Sequence, residues 1–412
     1  MEKFETLERV RENFEKQLAN YIGTRYAILC SSGRSAIRFS LLAIGVGHGD
    51  EVIIPDFACE ILPITVFCTG ATPKFVDVDR NTLAISPSEY KKTIGSKTKA
   101  VIFAHLYGLP IDPSPILEIS QRMGIAFIDD AAQALGASIR GKKVGSFGNV
   151  GIISLNKFLN VRLGGAALTD NKELAEKIKS IREKYEATSI PASLGYGLMD
   201  LFRIKSEKIM TAVFLSDQYF YDLFNMLITK KHFGIINGWM KADSHVVSLW
   251  NSNALPSNLI NQLMAMNKKY SHRRRLEKLE ILTLQKEFRN LEKYLVKRRK
   301  IAKIYEENLK NVNFTKISPP KNSTPAYVKY PIIIDREDQY AKCINVLFRY
   351  GFKTEYLYRP LHESPFFGDM NKKGTFKESK YIATHLLPLP VDPHIDAKRI
   401  HNLIKTLNSY AC

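Results

Sequence analysis

The chain has 412 residues, 45% apolar and 10% aromatic, which excludes a disordered polypeptide and supplies core for two to three domains. Lys and Arg (60) outnumber Asp and Glu (41), and the excess is uneven: residues 1–180 hold 22 basic and 19 acidic side chains, which leaves 38 and 22 for residues 181–412. Five cysteines (Cys30, Cys59, Cys68, Cys343, Cys412) without a C-x-x-C pair argue against a disulfide framework and a structural metal site, and predict a reducing, cytoplasmic compartment.

The N-terminus, MEKFETLERVRENFEKQLANYIG, alternates charges along a helical period and is read as a helical arm over 1–14 rather than a signal peptide. No apolar stretch approaches the roughly 18 residues of a spanning helix. Short β-branched runs follow at EVIIP (51–55), KFVDV (74–78), AVIFAH (100–105), IAFID (125–129), GIISL (151–155) and GGAALT (164–169), each of strand length. Helical patterns lie between several of them, at 35–45, 86–94 and 113–124, with another at 171–185. The alternation predicts an α/β fold with an open, mostly parallel sheet covered on both faces, whose ligands sit at the carboxyl ends of strands. Beyond it, strands are predicted at 327–335 and 352–358 and helices at 337–350 and 396–409, which together make a smaller α/β domain.

Four segments occupy strand ends. In CSSGRSAI (30–37), Ser32, Gly33 and Arg34 precede or open a helix, which makes either an ordinary N-cap or a phosphate cradle. Arg34 leans toward the cradle, because a cation in the first turn opposes the helix dipole unless an anion is present. AHLYGLP (104–110) places His105 and Tyr107 after a strand, where a lone histidine is more often structural than catalytic. In FIDDAAQALGA (127–137) two carboxylates close a buried strand, so that one needs a cation or a proton unless it caps a helix. In GIISLNKFLNVRLGGAAL (151–168), Lys157 is flanked by Leu155, Phe158 and Leu159. It is either a snorkelling surface side chain or a desolvated amine suited to a Schiff base. Cradle, carboxylate and lysine in this order match the demands of pyridoxal phosphate.

The segments SSGRSAIRFSLLAIGVGHGDEVIIP, GATPKFVDVD, TKAVIFAHLYGLPID, FIDDAAQALGASIRGKKVGSFGNVGIISLNK and LGGAALTDNKELAEKI together resemble the DegT/StrS family of pyridoxal-phosphate-dependent sugar aminotransferases, of the fold-type-I aspartate-aminotransferase architecture. The likeness is dense over 15–185 and resumes at 291–309, 356–367 and 386–396. It implies Lys157 as the Schiff-base lysine, Asp130 as the partner of the pyridine nitrogen, Gln133 at the ring hydroxyl, and Ser154 with Ser32, Gly33 and Arg34 at the phosphate. The ring-stacking position falls at Cys59, with Phe57 the alternative. His105, Tyr107 and Arg275 are implied substrate contacts. Arg275 closes SHRRR (271–275), which stands where the family carries N-x-R, and Leu135 replaces a family histidine. The resemblance also implies a homodimer, an amino-acid donor and a nucleotide-sugar acceptor.

The implied organisation is a large cofactor domain over 15–270, a basic connecting helix over 271–299 and a small domain over 300–412. An insertion at about 188–268 carries both tryptophans and six of the nine methionines, and residues 268–303 add 14 basic against 4 acidic side chains. The insertion is read as extra core or dimer packing, or as an interfacial helix pair over 200–233 resting on an anionic membrane. The basic face equally suits a nucleotide diphosphate, and no nucleic-acid module accompanies it. Two rivals to an aminotransferase are a dehydratase on the same scaffold, against which Lys157 argues, and a non-catalytic membrane-associated partner protein.

Overall fold

A computed structural model describes residues 6–184, 276–310, 313–352, 357–363 and 374–409. The 188–268 insertion, its 200–233 stretch and Arg275 all lie outside the described residues.

Along the chain the strands are β1 (Tyr26–Cys30), β2 (Glu51–Pro55), β3 (Thr72–Val76), β4 (Thr98–Ala104), β5 (Ala126–Asp130), a short hairpin of β6 (Ser138–Ile139) and β7 (Lys142–Lys143), β8 (Val150–Ser154) and β9 (Gly165–Thr169). Seven of them form a central sheet in the order β1-β9-β8-β5-β4-β2-β3. The β5–β8, β4–β5, β2–β4 and β2–β3 pairs are parallel, and β9 runs antiparallel to both β1 and β8. The sheet is covered on both faces because its strands are apolar on both. In β4, Ala100 and Ile102 join the core layer that contains Ala36 and Ile178, whereas Val101 and Phe103 join the layer that contains Tyr90 and Ile116.

The helices α1 (Leu7–Ile22), α2 (Gly33–Ile44), α3 (Ile61–Phe67), α4 (Pro87–Thr93), α5 (Ser114–Arg122) and α6 (Lys172–Glu183) complete this part. The expected arm boundary at residue 14 falls inside α1. Its Val10, Phe14, Leu18 and Ile22 form a buried stripe at helical spacing, so the helix is part of the cofactor-domain core. The expected single connecting helix is instead two, α7 (Lys278–Phe288) and α8 (Leu291–Asn308), separated by Arg289 and Asn290.

The remaining strands are β10 (Phe314–Lys316), β11 (Ser323–Thr324), which pairs with β6, β12 (Lys329–Ile334) and β13 (Leu386–Pro390). An antiparallel sheet in the order β10-β12-β13 packs with α9 (Glu337–Arg349), α10 (Lys377–His385) and α11 (Ala397–Ser409) around a core that includes Ile332, Ile334, Val346, Leu387 and Leu403. The third strand is therefore not the expected 352–358 run, of which Phe352, Leu357 and Tyr358 lie outside any strand and 353–356 lie outside the described residues. β13 escaped pattern reading because LLPLP carries two prolines. It accommodates them as an edge strand, with Pro388 opposite Pro331. Among the described residues no helix is long and apolar enough to cross a membrane.

Candidate active site

Since β1 and β8 both oppose β9, they point the same way as β5 and β4, and the residues that follow all four strands gather at one edge of the sheet. The closeness of that gathering is set by glycine. A Cβ at Gly165 would collide with the Ser32–Gly33 peptide, and one at Gly33 would lie 3.3 Å from the Ser154 Cβ. Gly164, at φ +116°, donates its amide to the Ser31 carbonyl at 2.7 Å. Ser32 is the N-cap of α2 and accepts from the Ser35 amide at 3.1 Å, while the Ser31 and Ser32 hydroxyls lie 3.1 and 3.0 Å from the Ser35 hydroxyl. The cap therefore occupies the serine hydroxyls, and the Gly33 amide in the first turn, which has no acceptor inside the helix, is the group suited to an anion.

Lys157 ends a short 3-10 turn after β8, between buried Leu155 and Phe158. The turn is closed by the Phe158 amide donating to the Leu155 carbonyl at 3.1 Å and is tied to the residue before β9 by the Leu155 amide donating to the Gly164 carbonyl at 2.9 Å. Arg298 of α8, itself buried, backs it by donating to the Lys157 carbonyl at 3.4 Å and to the Tyr327 carbonyl at 3.2 Å. Burial holds the Lys157 ammonium below its ordinary range, opposed by the nearby Cys59 and Asp130 and assisted by Arg34.

The two carboxylates that close β5 have different tasks. Asp129 is fully buried. Its Oδ1 accepts from His105 Nε2 at 2.7 Å and its Oδ2 from the amides of Gly145 and Phe147 at 2.6 and 3.0 Å. Asp130 accepts from the Ala132 amide at 3.0 Å. Burial raises its pKa, against the opposing effects of the Ala132 hydrogen bond, Lys157 and His105. A carboxylate so placed fits a ring cation, as the Gly33 amide fits a phosphate and Lys157 an aldehyde, so the residues present suit pyridoxal phosphate.

The other expected site residues divide. Gln133 accepts from the Tyr107 amide at 3.1 Å and donates from Nε2 to the Tyr358 hydroxyl at 2.7 Å. The Ser154 hydroxyl donates to Asn156 Oδ1 at 2.8 Å. Cys59 is half-buried beside the lysine's environment, with burial pushing its thiol up, whereas Phe57 is enclosed and meets Tyr358 edge-on at 5.8 Å. His105 is fully buried, and its Nδ1 accepts from the Ile111 amide at 3.0 Å, which leaves the Nε2 proton for Asp129. This is a structural position rather than a surface for substrate. Tyr107 is likewise enclosed, at φ +58°.

Residues that pattern reading passed over come from far along the chain. Asp56, just after β2, accepts from the His362 amide and from His362 Nδ1, each at 2.8 Å. Its carbonyl accepts from the Leu361 amide at 2.9 Å, and Phe57 bridges Pro360. Burial raises the Asp56 pKa, with His362 opposing. Asp77, just after β3, accepts from the amides of Glu378 and Ser379 at 3.0 and 2.9 Å and from the Ser379 hydroxyl at 2.7 Å. It thereby caps α10, whose own N-cap residue is Phe376. The stretch YLYRPLHE gave the only sequence signal for Tyr358 and His362, through the family resemblance.

The chain is 36% identical over 205 residues to GDP-perosamine synthase of Caulobacter vibrioides, covering 45% of this chain and 55% of that protein. It is 39% identical over 171 residues to the UDP-N-acetyl-3-dehydro-alpha-D-glucosamine 3-aminotransferase of Acidithiobacillus ferrooxidans, covering 41% and 46%. It thus spans about half the length of the curated relatives it matches. Among solved structures, DesV of S. venezuelae superposes with a TM-score of 0.71 at 22% identity over 98% of this chain and 89% of that one. NtdA of Bacillus subtilis, solved with bound cofactor PMP, superposes with a TM-score of 0.68 at 22% identity over 98% and 77%. These likenesses establish the fold. The chain matches the DegT/DnrJ/EryC1/StrS aminotransferase family over residues 2–188 and 258–408, and with most of its length so matched it belongs to that family.

Proposed function

We propose that the protein is a pyridoxal-phosphate-dependent aminotransferase that moves an amino group from an amino acid, with glutamate as the donor, to a nucleotide-linked keto sugar. The observation that carries this reading is the meeting of Lys157, Asp130 and the first turn of α2 at one edge of the sheet, with burial disfavouring the charged form of both the amine and the carboxylate. The two relatives named above support the acceptor class through the activities in their own names.

The cofactor, when bound, supplies an aldehyde carbon for the amine and a ring that draws electrons from the substrate carbon. The chain's residues do the rest. The Gly33 amide would hold the phosphate, joined by the Ser154 hydroxyl once its proton turns from Asn156 Oδ1, and Asp130 would keep a proton on the ring nitrogen through a charge-assisted hydrogen bond. Burial disfavours the charged form of Lys157, so that its Nζ would be suited to take the proton from the donor's α-carbon and deliver it to the cofactor's aldehyde carbon across the intervening nitrogen. Arg298 and the Leu155–Gly164 hydrogen bond hold that amine's backbone in place.

We further infer a cytoplasmic homodimer. In this reading Arg275 contacts substrate, and the 188–268 and 268–303 segments serve recognition or a peripheral membrane contact. The test is borohydride reduction of the cofactor-loaded protein followed by peptide mapping, together with the half-reaction with glutamate. Label on Lys157 and glutamate turnover support the proposal. Label on another lysine, or no glutamate reaction, refutes it.

A further inference from the structure

Gln133 has an amide whose two ends are held from different domains. Its Oε1 accepts from the Tyr107 amide, in the loop after β4, at 3.1 Å. Its Nε2 donates to the Tyr358 hydroxyl, 225 residues away in sequence, at 2.7 Å. The two contacts fix which way the amide faces, since a flipped side chain would set N–H against N–H at Tyr107. One Nε2 hydrogen is used by Tyr358, and the other is set in direction by it.

Tyr358 is itself held firmly. It is buried, with its ring against Phe57 at 5.8 Å and Tyr107 at 6.2 Å. The segment that carries it, 357–363, is strapped to the cofactor domain by the Phe57–Pro360 bridge, the Leu361 amide on the Asp56 carbonyl and the two His362 contacts to the Asp56 carboxylate. The His362 ring also stacks on Phe376, with centroids 4.3 Å apart. A side chain of the small domain thus sets the geometry of an amide in the cofactor domain.

We propose that Tyr358 is a positioning residue: seated by the Asp56–His362 strap, it orients Gln133 so that the second Nε2 hydrogen is presented to the cofactor's ring oxygen. This deepens the function proposed above and rests on it. A donor aimed at that oxygen withdraws electron density from the conjugated group that includes the Lys157 nitrogen, and so lowers the affinity of that nitrogen for a proton. Loss of the Tyr358 hydroxyl leaves the amide held at Oε1 alone, so that its Nε2 end can swing about the Tyr107 contact and off the ring oxygen. The protonation of the Lys157 nitrogen should then move to higher pH.

The experiment is a pH titration of the visible band of the cofactor-loaded protein for wild type, Tyr358→Phe, Gln133→Leu and the double variant. The Phe ring preserves the packing against Phe57 and Tyr107. The expected result is an upward shift of roughly half a unit or more in Tyr358→Phe, a shift at least as large in Gln133→Leu, and no further shift in the double variant. The glutamate half-reaction of Tyr358→Phe should fall about tenfold. Thermal destabilisation of Tyr358→Phe with an unmoved titration would overturn the proposal and leave a structural hydrogen bond. Shifts that add in the double variant would overturn it too, since the two residues would then act separately. Failure of the function itself is read in wild type: a protein with no visible band and no borohydride-labelled Lys157 refutes both readings, whereas a normal wild type with an unresponsive Tyr358→Phe refutes this one alone.

Discussion

His105 Nε2 lies 2.7 Å from Asp129 Oδ1, with both side chains completely enclosed. Since Asp129 also accepts from the Gly145 and Phe147 amides, it closes a three-donor site that ties the ends of β4 and β5 to the loop before β8. Asp130, its neighbour in sequence, is near enough to Lys157 for each to influence the other's charge. Asp129→Asn should therefore weaken folding, by about 2 kcal/mol in a denaturant titration, because it turns an amide N–H toward buried donors. Asp130→Asn should keep the fold and lower the glutamate half-reaction by several orders of magnitude. Equal kinetic losses in two stably folded variants would contradict this division.

Burial acts against charge at both Lys157 and Asp130, which gives the cofactor-free protein a definite pH response. Asp130 has a folded pKa above 3.8, so between the two values the folded state holds a proton that the unfolded state has lost. Its contribution is complete at low pH and disappears as pH rises through the folded value. Lys157 has a folded pKa below 10.5, so its contribution is present above that pH and lost as pH falls through the folded value. At neutral pH both groups oppose folding. Asp130→Asn and, separately, Lys157→Met should each stabilise the cofactor-free protein by on the order of 1 kcal/mol while abolishing turnover. Thermal scans at pH 7 that show lower melting temperatures in both variants would count against a strained site.

How much of this was readable beforehand follows from distance along the chain. EVIIP forms β2 over the predicted residues, and the Asp129–Asp130 and Lys157 segments announce themselves through polar residues set in apolar surroundings. Each is a local pattern. Local pattern also showed that one carboxylate needed a cation or a proton, but the division of labour between Asp129 and Asp130 became visible only with the loop at 145–147 folded back. The Asp56–His362 and Gln133–Tyr358 contacts span 306 and 225 residues, and no periodicity records such pairings. The alternating charges at the N-terminus suggest an arm over 1–14, whereas the buried stripe of Val10, Phe14, Leu18 and Ile22, which crosses that boundary, decides where α1 packs.

Asp77, just after β3, caps α10 some 300 residues along the chain, and Arg80 pairs with Glu378 beside it while its guanidinium lies 4.0 Å over the Tyr381 ring. Asp77→Ala removes the acceptor for two helix amides and the Ser379 hydroxyl. The expected cost is about 1–2 kcal/mol, the upper range for a lost N-cap. Because the lost contacts join domains, hydrogen exchange should accelerate at residues 377–381 more than in β4 or β5. Uniform acceleration would mean that Asp77 serves the cofactor domain alone.

Arg11 of α1 touches both the end of α6 and the residue that leads into α7. Its Nη1 is 3.9 Å from Glu183, at the end of α6, and its Nη2 donates to the carbonyl of Leu276 at 3.3 Å. Arg182, next to Glu183, is buried and pairs with Glu15 of α1, whose Oε1 accepts from the Leu29 amide at 2.8 Å. Glu183 and Leu276, which flank residues 185–275, are thus both held beside one helix. Loop-closure entropy grows slowly with length, so a short connection between ends already held together should be tolerated. Replacing 185–275 by about eight Gly and Ser residues should give a protein that folds, keeps the borohydride-labelled Lys157 and reacts with glutamate. If the segment recognises the acceptor, KM for the nucleotide sugar should rise while the glutamate half-reaction stays near wild type. Arg11→Ala in the full-length protein should cost about 1–3 kcal/mol, since it removes the buried donor to the Leu276 carbonyl, while Glu183 keeps Arg182. A shortened protein that aggregates, or that loses the glutamate reaction along with the sugar, would show that 185–275 completes the cofactor domain.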